Sequence, residues 1–271
     1  MPRDLFPFMS NIQYYPGAID PSGCISNGWN LIKPNYWMYF GISLLTWVII
    51  SCIPCINYIM MGPILAGVYY TLLRDMRGEA VDFGMMFKGF EKFLPAMVVG
   101  LIQSIPGIIW QIIDTTMNIS TIFLQQGQGT FGGGSFFQES SAPGLAEGIS
   151  AVYFILAAVF LIVTVVWSIS FSFALPLIAE HNIGPVEALT LSAKAAWSNV
   201  GGVIVTSILL GLIAFLGVLA LCIGVFFVLP LFWAAWAFAY RQVFPAIDTD
   251  NFRMEPPSPQ EYGSSFGQGM E

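Results

Sequence analysis

Charged residues along this chain are spaced so that long stretches hold none. Between Lys33 and Arg74 lie 40 uncharged residues, between Lys92 and Asp114 lie 21, between Glu147 and Glu180 lie 32, and between Lys194 and Arg241 lie 46. A helix needs about 20 apolar residues to cross a bilayer. The runs therefore predict two, one, one and two spans, at about 37–53, 56–73, 93–113, 149–173, 200–221 and 224–241. Pro54 in "SCIPCIN" and Gly224 at the end of "LCIG" supply turns that divide the two long runs into hairpins. A further uncharged run, 115–138, contains "QQGQGTFGGGSFFQ" and reads as part of an outer loop over 114–147.

Composition turns this pattern into a class. Of 271 residues, 56% are hydrophobic, 15% aromatic and only 9% charged, against about 25% charged in soluble domains. So few charges cannot cover a water-facing surface, so lipid is the principal solvent. The expected fold is an all-α integral membrane protein: an arm over 1–25, a six-helix transmembrane domain over 26–245 and a flexible tail over 246–271. The tail, rich in Pro, Ser, Gly and Glu, has the composition of a disordered segment.

The basic residues orient the threading. In a 2+1+1+2 arrangement, Arg3, Lys33, Arg74, Arg77, Lys88, Lys92, Lys194, Arg241 and Arg253 all fall on one side, and the 114–147 loop opposite has none. The positive-inside bias predicts that both termini are cytoplasmic, and the net charge of −7 does not oppose this because acidic residues contribute little. The first 20 residues contain three prolines and lack the apolar core of a cleavable signal, so the first span is expected to act as an uncleaved anchor.

Two halves of the chain are alike. "NGWNLIKPNYW" leads into a helical pair whose second member runs from Pro63 to Arg74, and "EALTLSAKAAWSN" leads into a pair whose second member runs from Pro230 to Arg241. Proline and arginine are eleven residues apart in both, and both copies start on the basic side, which makes a parallel internal repeat. "VDFGMMFKGFEKFLP" reads as a third version of the lead-in. Its Phe83, Met86, Phe87 and Phe90 recur at helical spacing, with Lys88, Glu91 and Lys92 on the other side. Such a helix lies in the cytoplasmic interface with aromatics in the acyl boundary and lysines toward anionic headgroups. The alternative is a loop helix packed on its own protein.

The segments 62–90 and 175–202 resemble a poorly characterised group of bacterial polytopic membrane proteins, similar to the membrane domain that accompanies some glycerophosphodiester phosphodiesterases. The resemblance rests on Gly62-Pro63, Gly78-Glu79, the aromatic segment Phe87 to Phe90, and Pro176 through Ser192 with Glu180 one residue early. It implies a six-helix fold in the bacterial inner membrane and carries over no shared chemistry, and no phosphodiesterase catalytic domain is expected within these 271 residues.

Reactive constellations are scarce. A metal site needs three or four converging ligands, yet the single histidine, His181, lies on the predicted cytoplasmic side and Cys52, Cys55 and Cys222 near the other. Cys52, Cys55 and Cys222 could form a disulfide in an oxidising compartment, or serve as small apolar turn residues. Glu180-His181 reads as a capping and loop pair before the helix start at Pro185. No ionisable residue falls in the middle of a span, where an ion-coupled carrier would place one. Gln103, Ser104 and Gln111 make the third span the most polar, with either a permeation path or helix packing as its use. Gly62, Gly67, Gly201, Gly202, Ser207 and Gly211 mark where helices can approach closely.

These features predict a non-enzymatic accessory, scaffold or lipid-organising subunit, or alternatively a channel or carrier for an uncharged or lipidic molecule. Expected partners are membrane lipids and other membrane-protein subunits or further copies of the chain. No cofactor and no nucleic acid is expected.

Overall fold

The computed structural model describes residues 12–52, 56–130, 143–219 and 224–245. Among them every regular element is helical. A short helix α1 (Pro21–Ile32) leads through a 3₁₀ turn into α2 (Tyr36–Cys52) and α3 (Ile56–Met76). A 3₁₀ helix over Phe83–Lys92 leads into the long α4 (Phe93–Thr130), followed by α5 (Pro143–Ser170) and the short α6 (Ala174–Glu180). A third short helix, α7 (Pro185–Ser198), leads into α8 (Val200–Leu219) and α9 (Gly224–Val243). Four segments are long and apolar enough to cross a membrane: Phe83–Thr116, Ala157–Glu180, Val200–Leu219 and Gly224–Val243.

The helix starts follow from local chemistry. Asp20 caps α1 by accepting from the Ser22 backbone at 3.2 Å, with Pro21 at the first position, where its missing N–H costs nothing. Asp82 accepts from Gly84 N at 2.7 Å to open the 3₁₀ helix. Pro185 begins α7.

At the centre stands α3. Ile64, Leu65, Ala66, Val68, Tyr69, Leu72 and Leu73 are all buried, covering every side of the helix. It packs against the 3₁₀ helix, α4, α6, α2 and α9. From Gly62 to Leu73 protein rather than lipid surrounds it, which is why this stretch carries Pro63, Tyr69 and Tyr70 without being exceptionally apolar, whereas Ile59 nearer the start of the helix is exposed. Its closest approaches are backbone to backbone. A Cβ on Gly67 would overlap Met86 O, one on Gly89 would overlap Pro63 O, and one on Gly100 would stand 2.6 Å from Gly62 Cα. Hydrogen is the only side chain these crossings admit.

The three lead-in helices, α1, the 3₁₀ helix over Phe83–Lys92 and α7, pack in a cyclic order. The 3₁₀ helix lies on α3, α7 on α6, and α1 on α9, where a Cβ on Gly28 would stand 3.1 Å from Ala235 N. The chain before α1 is tied down as well. Tyr15 N donates to Val243 O at 2.9 Å, Ala18 N to Asn199 Oδ1 at 2.8 Å and Asp20 N to Gln242 Oε1 at 2.8 Å. Residues 15–20, placed by the sequence in a cytoplasmic arm, thus run against the ends of α7, α8 and α9.

Several boundaries differ from those expected. α4 continues to Thr130 and α5 begins at Pro143, so the segment read as outer loop 114–147 supplies helix at both ends, and 131–142 lies outside the described residues. Residues 108–126 hold no glycine or proline to stop α4. The span expected at 149–173 is continuous helix as far as Ser170, where turns at 171–173 lead into α6. Cys55, Cys222 and the tail 246–271 lie outside the described residues, as does the Cys52 side chain. Cys24 is buried, which pushes its thiol up to about 12.

The glycine crossings predict a sharp contrast. Gly67→Leu or Gly89→Leu should abolish the folded particle in size-exclusion chromatography of detergent-purified protein. Gly211→Leu should leave it intact, since nothing stands within 4 Å of a Cβ there.

Candidate functional site

Polar side chains that the sequence scatters over five elements meet at one end of the bundle, around α6. This short helix is buried along its whole length from Ala174 to Ala179. It ends at Glu180, whose side chain is only 11% exposed. Arg241 Nη2 from α9 stands 2.8 Å from Glu180 Oε1, Tyr240 donates its hydroxyl to Oε2 at 2.7 Å, and Arg77 Nη1 lies 3.5 Å from Oε1. Arg77 is shared with Glu79, to which it donates from Nε at 2.6 Å; Arg74 pairs with Glu79 too. These contacts, the Arg77 hydrogen bond foremost, hold the Glu79 carboxyl below its ordinary value. One carboxylate therefore joins the ends of α6 and α9 to the turn after α3. Arg241 Nη1 and Nη2 are buried without a hydrogen-bond partner among the described residues, the Nη2 contact with Glu180 being an ion pair.

Lys92 completes the end of α6. Its Nζ donates to Ile178 O at 2.9 Å, Ala179 O at 3.2 Å and His181 O at 3.0 Å, satisfying helix-end carbonyls that would otherwise be bare. Within the predicted interfacial helix, then, Lys92 turns inward instead of toward headgroups. Lys88 pairs with Glu91 at 2.6 Å, Phe83 and Phe87 are exposed, Phe90 is half-buried, and the buried face is Met86 and Gly89. Glu180 and His181, read from the sequence as capping and loop residues, sit in the cluster itself. Burial lowers the His181 imidazole below its ordinary value, opposed by Glu180 and reinforced by Lys92 and Arg241.

The break at 171–173 is capped from two neighbours. Gln103 Nε2 donates to Phe171 O at 2.6 Å. Ser192 Oγ accepts from Phe173 N at 3.1 Å and donates to Ser170 O at 2.9 Å. The other members of the polar third span are also bonded: Ser104 Oγ donates to Leu101 O, and Gln111 Oε1 accepts from the Tyr58 hydroxyl. Gln103 and Gln111 thus join α4 to the 171–173 turn and to α3. The sequence could show that these residues are polar, but not which carbonyl each one meets.

Two apolar grooves undercut α5. One, of about 380 Å³, lies between α5 and α8 and is lined by Thr164, Ser168, Ile169, Val203, Ile204 and Trp236 among others. The other, of about 410 Å³, lies between α4 and α5 and includes Pro106, Gly107, Trp110 and Phe160. Thr164 lines both. Leu161, Ile162, Val163, Val165 and Val166 of α5 are exposed, and of these Leu161 lines the second groove and Val165 the first. Among the described residues no three His, Cys, Asp or Glu side chains come together as a metal site would need.

Fold and site together define a multi-pass membrane protein, all-helical among its described residues and with its polar groups gathered at one end of the bundle. No protein-family model, curated protein or solved structure matches the chain.

Removing one partner of a largely buried ion pair costs about 3–5 kcal/mol, whereas an exposed pair contributes under about 1 kcal/mol. Glu180→Ala should therefore lower the thermal stability of the detergent-solubilised protein far more than Arg77→Ala, whose side chain is 37% exposed. His181 adds a pH dependence. Its folded imidazole binds a proton less readily than the unfolded one, so the unfolded chain takes up more protons as the pH falls. Its contribution should be complete above about pH 6.5 and decline below it, and His181→Gln should flatten that part of a melting-temperature profile.

Proposed function

We propose that the chain crosses the bilayer six times, with both termini on the side that carries the lysines and arginines, and acts without catalysis as an accessory, scaffold or lipid-organising component of the bacterial inner membrane. The observation that carries this reading is the engagement of Glu180. A catalytic carboxylate must reach a substrate, whereas this one is 11% exposed and held by Arg241, Tyr240 and Arg77. Lys92 and Gln103 are spent on backbone carbonyls in the same way. The polar groups of this end act as tethers between helices.

For six crossings, the support is that α2 and α3 pack together and that α3 is sheathed by protein, so low hydropathy does not bar it from spanning. The repeat draws support from the cyclic packing. Each of the three short helices leads its own helical pair and lies on the proline-bearing helix of another: Pro63 in α3, Pro176 in α6 and Pro230 in α9. The resemblance to the phosphodiesterase-associated membrane domain agrees with this architecture. The alternative, a carrier of a lipidic molecule, draws on the apolar grooves beside α5.

Two measurements separate these readings. With the four native cysteines replaced, Thr130→Cys should be labelled by an impermeant thiol reagent from outside and Ser265→Cys should not; the reverse pattern would overturn the orientation. Native mass spectrometry of protein extracted in mild detergent should show stoichiometric protein partners or bound lipid. Turnover of a transported solute by the chain alone in proteoliposomes would favour the carrier instead.

A further inference from the structure

We propose that the groove between α5 and α8 binds one acyl chain of an anionic phospholipid, whose phosphate is held at the Lys194–Trp197 face of α7. This deepens the lipid-organising reading and rests on it.

The groove's volume of about 380 Å³ lies within the range of small-molecule sites, about 300–1,000 Å³. Its lining is apolar apart from the hydroxyls of Thr164, Ser168 and Ser207. Thr164 donates to Phe160 O at 2.9 Å and Ser207 to Val203 O at 2.7 Å, so these two hydroxyls are already satisfied by their own helices. Such walls suit a hydrocarbon chain and offer nothing to a charged solute.

A headgroup position lies at one end. Trp197 is exposed, and its indole N–H donates to Ser170 Oγ at 3.0 Å, which fixes the ring beside the end of α5, one residue beyond the groove-lining Ile169. Lys194 precedes it by three residues on the same exposed face, and no acidic side chain pairs with Lys194 among the described residues. Of the other described cations that the sequence places on this side, Arg74, Arg77, Lys88, Lys92 and Arg241 are engaged with Glu79, Glu91, Glu180 or backbone carbonyls, and Lys33 lies in the turn between α1 and α2. Lys194 is the one that stands on the helix Trp197 ties to α5. An ammonium with no acidic partner among the described residues and an amphipathic ring fixed beside one end of the apolar groove match the charge and shape of a phosphate esterified to an acyl chain.

The test uses the full-length protein in nanodiscs of mixed phosphatidylcholine and phosphatidylglycerol, released for native mass spectrometry. Wild type should retain one phosphatidylglycerol per chain, favoured about fivefold over phosphatidylcholine, as expected for one lysine near an anionic phosphate. Lys194→Gln should remove the preference while lipid stays bound. Ile204→Trp, which fills the groove, should remove the lipid; Ser207→Leu serves if that variant does not fold. Retention without headgroup preference in wild type, or unchanged retention in a folded groove-filled variant, would overturn the proposal. So would a dimer that dissociates when the groove is filled, because the occupant would then be a second copy of the chain. Release of wild type from membranes by alkaline carbonate would defeat the membrane reading itself, which separates the two failures.

Discussion

Backbone-to-backbone contact along one edge of α3 is the constraint on which the rest of the structure depends. Gly62 and Gly67 meet Gly100 and Gly89 with no room for a Cβ on either side. In lipid, helices gain little from the hydrophobic effect when they associate, so close packing and hydrogen bonds must hold them. The glycine edge allows the 3₁₀ helix and the start of α4 to lie directly on α3. Their approach brings Lys92 within reach of the end of α6 and Gln103 within reach of the 171–173 turn. Widening these crossings by one methyl group would pull both tethers from their carbonyls.

The same economy governs the polar groups. Backbone N–H and C=O groups left bare in hydrocarbon cost several kcal/mol each, and the α5–α6 break exposes such groups at 170–173. Gln103 and Ser192 cover them from opposite sides. Asn199 does similar work where residues 15–18 cross the end of α8, accepting from Ala18 N and donating to Tyr15 O. Glu180 then ties α6 to α9 and to the turn after α3. A site assembled this way has its polar groups spent on one another, which is the arrangement the proposed contact role calls for. The loosely held α5, by contrast, leaves apolar space on both flanks, and the room for a ligand is there.

Much of the helical framework was legible because hydrophobic length is written directly in the chain. Runs free of charge located α2 to α5, α8 and α9, and the turn chemistry of Pro185 marked the start of α7. Partners were not legible. Gly67 and Gly211 look equivalent as small residues in apolar helices, yet one is locked against Met86 O and the other faces open space. Lys88 and Lys92 stand on the same short segment, but one pairs locally with Glu91 and the other turns inward to cap α6. The eleven-residue spacing from Pro63 to Arg74 and from Pro230 to Arg241 was read as the mark of a repeat, and nothing in it indicated that Glu180 would stand beside Arg241. Such pairings depend on three-dimensional neighbours that no periodicity encodes. The continuation of α4 past Asp114 was obscured for another reason: glycine and glutamine near 125–129 gave a loop composition to a stretch that the helix before it carries through.

The glycine crossings can be measured without perturbing them. Solid-state NMR of the protein in bilayers, with glycine Cα carbons labelled, should show cross-peaks between Gly62 and Gly100 and between Gly67 and Gly89, pairs far apart in sequence but in backbone contact. Their presence would establish α3 as the spine of the bundle. Their absence, with the sequential glycine peaks resolved, would contradict the arrangement from which the charge cluster and the grooves both follow.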